Sequence, residues 1–159
     1  MIAILLIIPD EWLLHDLRGD NGERRQKEAI EFLERLRRIC DKLVVVRGSP
    51  WLKKARTFFE VRTPQMHEIG HFLWGVLIDS EKTLLFDLDD LQDIPAKMAE
   101  AFEEKDHYLL RAERTVHGSI IVTTDRRSLY EPLKEQFSYV KVELRDCFLR
   151  EYLRREGVK

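Results

Sequence analysis

The sequence predicts an α/β fold, a three-layer sandwich with a mostly parallel central sheet flanked by helices. Three observations carry that prediction. Short apolar runs rich in β-branched residues alternate with longer segments of helical spacing. The first run, Ile2–Ile8, is apolar without alternation and stops at Pro9, as a strand buried on both faces does. The chain has 159 residues, 44% of them hydrophobic. That is one domain's length, 1–159, with core enough to need no disulfide or zinc.

The elements follow in order. Glu23–Cys40 has helical spacing, with Ile30, Leu33, Leu36 and Ile39 on one face. Leu43–Val46 is a second short strand. Ser49-Pro50 sets an N-cap before a proline at the first helical position, so a helix runs from Pro50 to about Val61. Thr63–Leu77 reads as a short helix or an irregular segment. Val76–Asp79 and Thr83–Phe86, flanking Ser80-Glu81-Lys82, read as a hairpin or two short strands. Ile94-Pro95 opens a helix to about Glu104, and Asp106 caps another to about Val116, stopped by Gly118. Ser119–Thr123 is the third buried strand. A helix over Leu129–Phe137, a strand over Val140–Val142 and a helix over Arg145–Arg155 complete the chain.

Composition narrows the function. Charged residues make up 35%, above the usual ~25%, which suits a surface rich in ion pairs. The net charge of −2 supplies no global field for nucleic acid, so such binding requires local patches. Cys40 and Cys147 lack CxxC spacing and are too few for a disulfide framework, which suits a reducing compartment. The opening MIAILLIIP is too short to cross a membrane and lacks the features of a signal peptide. The expectation is a cytoplasmic domain with no membrane partner. No GxGxxG or GxxxxGK[ST] occurs, and no Ser or Cys sits in a nucleophile elbow.

Ligands of open α/β sheets bind beyond the carboxyl ends of the strands. Asp10-Glu11 follows the first strand, Thr124-Asp125 follows the third, and Asp106 begins the helix that returns from that edge into the third strand. Asp10, Asp106 and Asp125 therefore converge. Taken singly, each is an ordinary cap or turn residue. Together they are acids without a local basic partner, an arrangement that a divalent ion such as Mg²⁺ or Mn²⁺ neutralises.

The residues that carry this argument resemble a known family. Lys105-Asp106-His107-Tyr108-Leu109-Leu110-Arg111-Ala112, followed by Gly118-Ser119-Ile120-Ile121-Val122-Thr123-Thr124-Asp125, is similar to the second half of a PIN domain. There a DxxLLxxA helix leads through a glycine turn into an apolar strand ending in T-T/S-D. The layout of elements resembles that family over most of the chain. The motif is specific over Asp106–Asp125. The resemblance implies a metal-dependent ribonuclease, with Asp10, Asp106 and Asp125 as catalytic metal ligands for Mg²⁺ or Mn²⁺. The ions would polarise the phosphodiester, lower the pKa of a bound water and stabilise the leaving oxygen.

The chain departs from the family's pattern at three places. Lys53 or Lys54 stands where an early helical Glu is usual. The nearest acid in that helix is Glu60, about 9 Å further along; Glu60 or Glu11 is a candidate fourth metal-ligating acid, and Glu68 is another candidate. Pro9-Asp10-Glu11-Trp12 replaces the usual D-T/S/A-N, so Glu11 is an alternative to Asp10, and Arg126-Arg127 rather than an acid follows Asp125. Lys53, Lys54, Arg126 and Arg127 are candidate phosphate contacts for RNA. The alternative function is a catalytically weakened PIN-like module that binds RNA or a protein. A protein inhibitor, as for a toxin, and a homodimer are compatible with the resemblance.

Two other motifs compete. Leu84-Leu85-Phe86-Asp87-Leu88-Asp89-Asp90-Leu91 resembles the first motif of haloacid-dehalogenase phosphatases, but Leu91 replaces its Thr and only 69 residues follow Asp90. His67-Glu68-Ile69-Gly70-His71 matches H-E-x-x-H literally, though Gly70 weakens a helix by ~1 kcal/mol and no third ligand is evident. Trp12, Trp51, Trp74, Phe58 and Phe59 read as core or interface rather than as base-stacking platforms.

Overall fold

The computed structural model describes residues 3–60 and 63–159. Its sheet has five strands, β1 (Leu6–Pro9), β2 (Lys42–Arg47), β3 (Thr83–Asp87), β4 (Ser119–Thr123) and β5 (Val142–Leu144). They lie in the order β3-β2-β1-β4-β5 and every pairing is parallel. Eight α-helices are found among the described residues: α1 (Trp12–Leu17), α2 (Glu23–Arg38), α3 (Pro50–Arg56), α4 (Pro64–Leu77), α5 (Ala96–Ala101), α6 (His107–Thr115), α7 (Glu131–Gln136) and α8 (Arg145–Tyr152). The predicted three-layer α/β sandwich is the observed one.

β1 is the middle strand. Leu6 pairs with Lys42 on one side and Ser119 on the other, and Ile7, Ile8 and Pro9 are buried. Both faces are covered, which explains the unbroken apolar run. The strand begins only at Leu6, because the Leu5 amide donates to the Asp41 carboxylate at 2.8 Å instead of joining the ladder. The predicted start at Ile2 lies outside the described residues. α2 buries Ala29, Phe32, Leu33 and Leu36, and ends at Arg38 because Ile39 is already extended.

Several boundaries differ from expectation. Ser49 caps α3, accepting from the Leu52 amide, but the helix tightens at Thr57–Glu60 into a 3₁₀ turn. Its expected end, Val61, lies outside the described residues. This segment is a continuous helix, Pro64–Leu77, rather than an irregular one, capped by Thr63 and opened by Pro64. Gly70 lets this helix approach its neighbour: a Cβ there would stand 3.2 Å from Phe58 Cβ. Val76 and Leu77 belong to α4, so no hairpin forms, and a turn held by the Asp79 carboxylate on the Glu81 amide leads into β3. α5 is confined to Ala96–Ala101 and α8 to Arg145–Tyr152. The Leu129–Phe137 helix is a π turn, Arg126–Tyr130, followed by α7. β5 is shifted to Val142–Leu144 because the Val140 amide closes a turn onto the Phe137 carbonyl. Trp12, Trp51 and Phe58 are buried and Trp74 is half-buried. The Phe59 side chain is outside the described set.

The chain runs outward from β1 through β2 to β3, then crosses back to build β4 and β5 on the other side of β1. With right-handed crossovers, that reversal sends helices to opposite faces. α2 contacts α4 and α8, whereas α6 lies against β1 and β2. The loops after β1 and β4 therefore part in opposite directions and leave a crevice at the carboxyl edge.

Candidate active site at the β1–β4 switch point

Asp10 stands at the carboxyl end of β1, and its backbone is pinned from two sides. Its amide donates to the Val122 carbonyl of β4 at 3.0 Å, and the Trp51 indole of α3 donates to its carbonyl at 3.1 Å. Its carboxylate accepts from the Glu11 amide and from the Thr123 hydroxyl, each at 2.8 Å. The same Thr123 oxygen accepts from the Asp125 amide at 3.0 Å. One hydroxyl thus ties the acid after β1 to the acid after β4. Asp125 also accepts from the Ser128 amide at 2.9 Å, which starts the π turn.

Asp106 arrives from the other side, at the end of a 3₁₀ turn (Glu104–Asp106) leading into α6. Its side chain makes no capping hydrogen bond. Capping therefore does not explain this aspartate, although it explains part of Asp125.

Asp10, Glu11, Asp106 and Asp125 line one cavity of about 430 Å³, with His15, Lys105 and Tyr108 also on its wall. Two of the acids, Asp10 and Asp106, have raised proton affinity. Burial pushes the Asp10 carboxyl up, the Glu11 and Asp125 charges add to this, and the hydrogen bonds from Thr123 and Glu11 oppose it. Asp106 is pushed up to about 6, first by burial and then by the Asp10 charge, with Lys105 opposing. The Tyr108 phenol is also pushed up, by burial and by the charges of Asp10, Glu11 and Asp106. Its hydroxyl is buried with no hydrogen-bond partner among the described residues. Lys105 is raised by Glu103 first and also by Asp106.

Of the residues expected at the site, Asp10, Asp106 and Asp125 come together, and Glu11 joins them. Glu60 does not line the cavity; it is exposed at the end of the turn after α3. Glu68 is exposed on α4. Lys54 reaches the cavity edge through its 2.6 Å ion pair with Glu11, while Lys53 is exposed beside it on α3. Arg126 and Arg127 are exposed on the π turn directly after Asp125. Thr123 and Tyr108 are site residues that sequence reasoning missed. Both fall inside the quoted motif, but their roles follow from who faces them in space. Asp87 of the phosphatase-like motif is paired with Arg47 at 2.9 Å on the edge strand, apart from this cavity.

Among the described residues no three His, Cys, Asp or Glu side chains form a ready-made metal cage. The donor set nonetheless suits Mg²⁺ or Mn²⁺. These ions commonly take one or two carboxylates and keep their remaining waters. Asp106 is raised first by burial and then by the Asp10 charge, and a divalent ion would offset that charge. The fold and the cavity together define a class: an all-parallel α/β domain with an acid-lined crevice where the strand order reverses. Comparison with protein-family models, with curated proteins and with solved structures finds no match. No helix among the described residues is long and apolar enough to cross a membrane.

Proposed function

We propose that this protein is a Mg²⁺- or Mn²⁺-dependent endoribonuclease of PIN-like type acting at the cavity between β1 and β4. One observation carries the proposal: Asp10, Asp106 and Asp125, from three separate segments, line one crevice, and among the described residues none is ion-paired. The similarity of Asp106–Asp125 to PIN domains points the same way. A bound divalent ion would supply Lewis-acid polarisation of the phosphate and an acidified water. The chain's own residues would do the rest. Asp10, fixed by Thr123 and the Glu11 amide, and Asp125, fixed by Ser128, offer pre-oriented carboxylates. Asp106, whose side chain makes no capping bond, offers the third carboxylate. Arg126 and Arg127, which directly follow Asp125, and Lys53, beside Lys54 on α3, are exposed cations that would contact flanking phosphates.

The test is cleavage of a mixed single-stranded RNA pool with Mn²⁺, with EDTA and with the Asp106→Asn/Asp125→Asn double variant. Activity that requires both the metal and the two acids is expected. Absence of Mn²⁺-dependent cleavage by the folded wild-type protein refutes it.

A second reading has its own support. Lys54 neutralises Glu11 at 2.6 Å, so one of the four cavity acids already has a fixed cation. That suits a PIN-like module that binds RNA without cutting it. Salt-sensitive RNA binding that EDTA leaves unchanged, with no cleavage, would favour it.

A further inference from the structure

The H-E-x-x-H segment is not absorbed by the acid cavity, and the structure gives it definite form. His67 and His71 lie one turn apart on α4, a helix of 14 residues, and both are exposed. Their Nε2 atoms are 2.9 Å apart, with ring centroids at 4.4 Å and planes at 84°. Gly70 between them is not a weak point of the helix. It packs against Phe58 on the inner face, where Ile69 and Leu73 are also buried, and so fixes the face that carries the histidines outward.

We propose that His67 and His71 form a bidentate site for a late first-row divalent ion, Cu²⁺ or Ni²⁺, separate from the acid cavity. In the metal-free chain the two Nε2 atoms share a hydrogen bond at 2.9 Å, which a bound ion would replace. Ligand chemistry selects the ion class: imidazole nitrogens suit Cu²⁺ and Ni²⁺, a pair at i and i+4 can take adjacent positions on the ion, and Cu²⁺ heads the affinity series. Among the described residues no third His, Cys, Asp or Glu completes a cage. Carboxylates suit Mg²⁺ and Mn²⁺, whereas imidazoles suit Cu²⁺ and Ni²⁺, so the two sites sort ions by ligand chemistry. Because both ligands are in adjacent turns of one helix, a bound ion clamps the first half of α4.

The experiment titrates tag-free full-length protein with Cu²⁺ and with Ni²⁺ by calorimetry, and records the Cu²⁺ paramagnetic resonance spectrum and the amide line broadening that Cu²⁺ causes. One-to-one uptake is expected, with hyperfine coupling to two imidazole nitrogens and broadening centred on residues 67–71. His67→Asn and His71→Asn should each weaken binding at least tenfold, while Asp106→Asn/Asp125→Asn leaves it unchanged. Unaltered affinity in either folded histidine variant, or broadening centred on His15, His107 or His117, overturns the proposal. The wild-type spectrum and broadening map decide the matter even if a variant fails to fold.

Discussion

Replacing Asp106 by Asn should make the metal-free protein more stable at neutral pH while removing its activity. Asp106 has an ordinary value of 3.8 and is pushed up to about 6 by burial and by Asp10. For an acid raised in the folded state, that state binds the proton more tightly. The associated stability is complete below 3.8 and is lost as pH rises through about 6. Above that window the ionised carboxylate is a burden on folding. The displacement corresponds to about 3 kcal/mol between the two protonation states. Partial exposure and salt screening reduce what folding feels to about 1–2 kcal/mol. Asn has nearly the same shape, carries no charge, and forfeits no cap, since the Asp106 side chain makes no capping bond. For a chain of 159 residues, 1–2 kcal/mol corresponds to a Tm increase of about 2–8 °C. The assay is thermal unfolding of wild-type protein and Asp106→Asn in EDTA, at pH 7.5 and at pH 4. The gain should appear at pH 7.5 and largely vanish at pH 4. A variant no more stable than wild type at pH 7.5, or equally stabilised at both values, refutes the reasoning.

Three further outcomes follow from the same geometry. Lys54→Met removes the fixed cation from Glu11, and calorimetry should find Mn²⁺ bound several-fold more tightly; unchanged affinity would show that Glu11 does not contribute to the cavity's field. Tyr108→Phe removes a buried hydroxyl with no partner among the described residues, so urea unfolding should show stability equal to wild type or up to about 1 kcal/mol higher. Arg145→Met should lower stability by about 3–5 kcal/mol in urea unfolding, because it leaves the fully buried Asp16 without its 2.8 Å partner; adding Asp16→Leu should restore much of the loss.

Legibility in the sequence depended on how local the cause was. β4 is read to the residue, because its five residues are bounded by a left-handed glycine turn at Gly118, φ +83°, and by a polar Thr-Asp step. The three aspartates are legible for a related reason: each sits at an element boundary, and topology alone sends those boundaries to one edge. α4 was obscured by Gly70, whose helix cost is local but whose benefit, contact with Phe58, comes from another element. Of the two short apolar runs read as a hairpin or two strands, Thr83–Phe86 is a strand, whereas Val76–Leu77 ends α4, and the parallel pairing of β3 with β2 decides between them. Glu60 was proposed from distance along a helix, but the chain tightens to 3₁₀ at Thr57 and the residue does not line the cavity. Thr123 joins Asp10 to Asp125 across 113 residues of sequence, which no spacing rule reveals.

The treatment of buried acids distinguishes structure from function within this one fold. Asp16 and Asp41 are fully buried, and each receives an arginine: Arg145 at 2.8 Å and Arg155 at 2.5 Å. Arg145 is itself held by Asp146 at 2.7 Å and lies over the Trp12 ring, so that cluster is neutralised and locked. Asp10 lies only six residues before Asp16, yet it receives a hydroxyl and an amide instead of a cation. Asp106 and Asp125 likewise have no ion-pair partner among the described residues, and the nearby Lys105 is exposed and paired with Glu103 at 3.5 Å, so it offsets little. A chain that supplies arginines to its structural aspartates and withholds them at a single crevice keeps a local excess of negative charge there, at a cost to folding. That cost is recovered only when something positive enters, which is the physical reason to look for a divalent ion between β1 and β4.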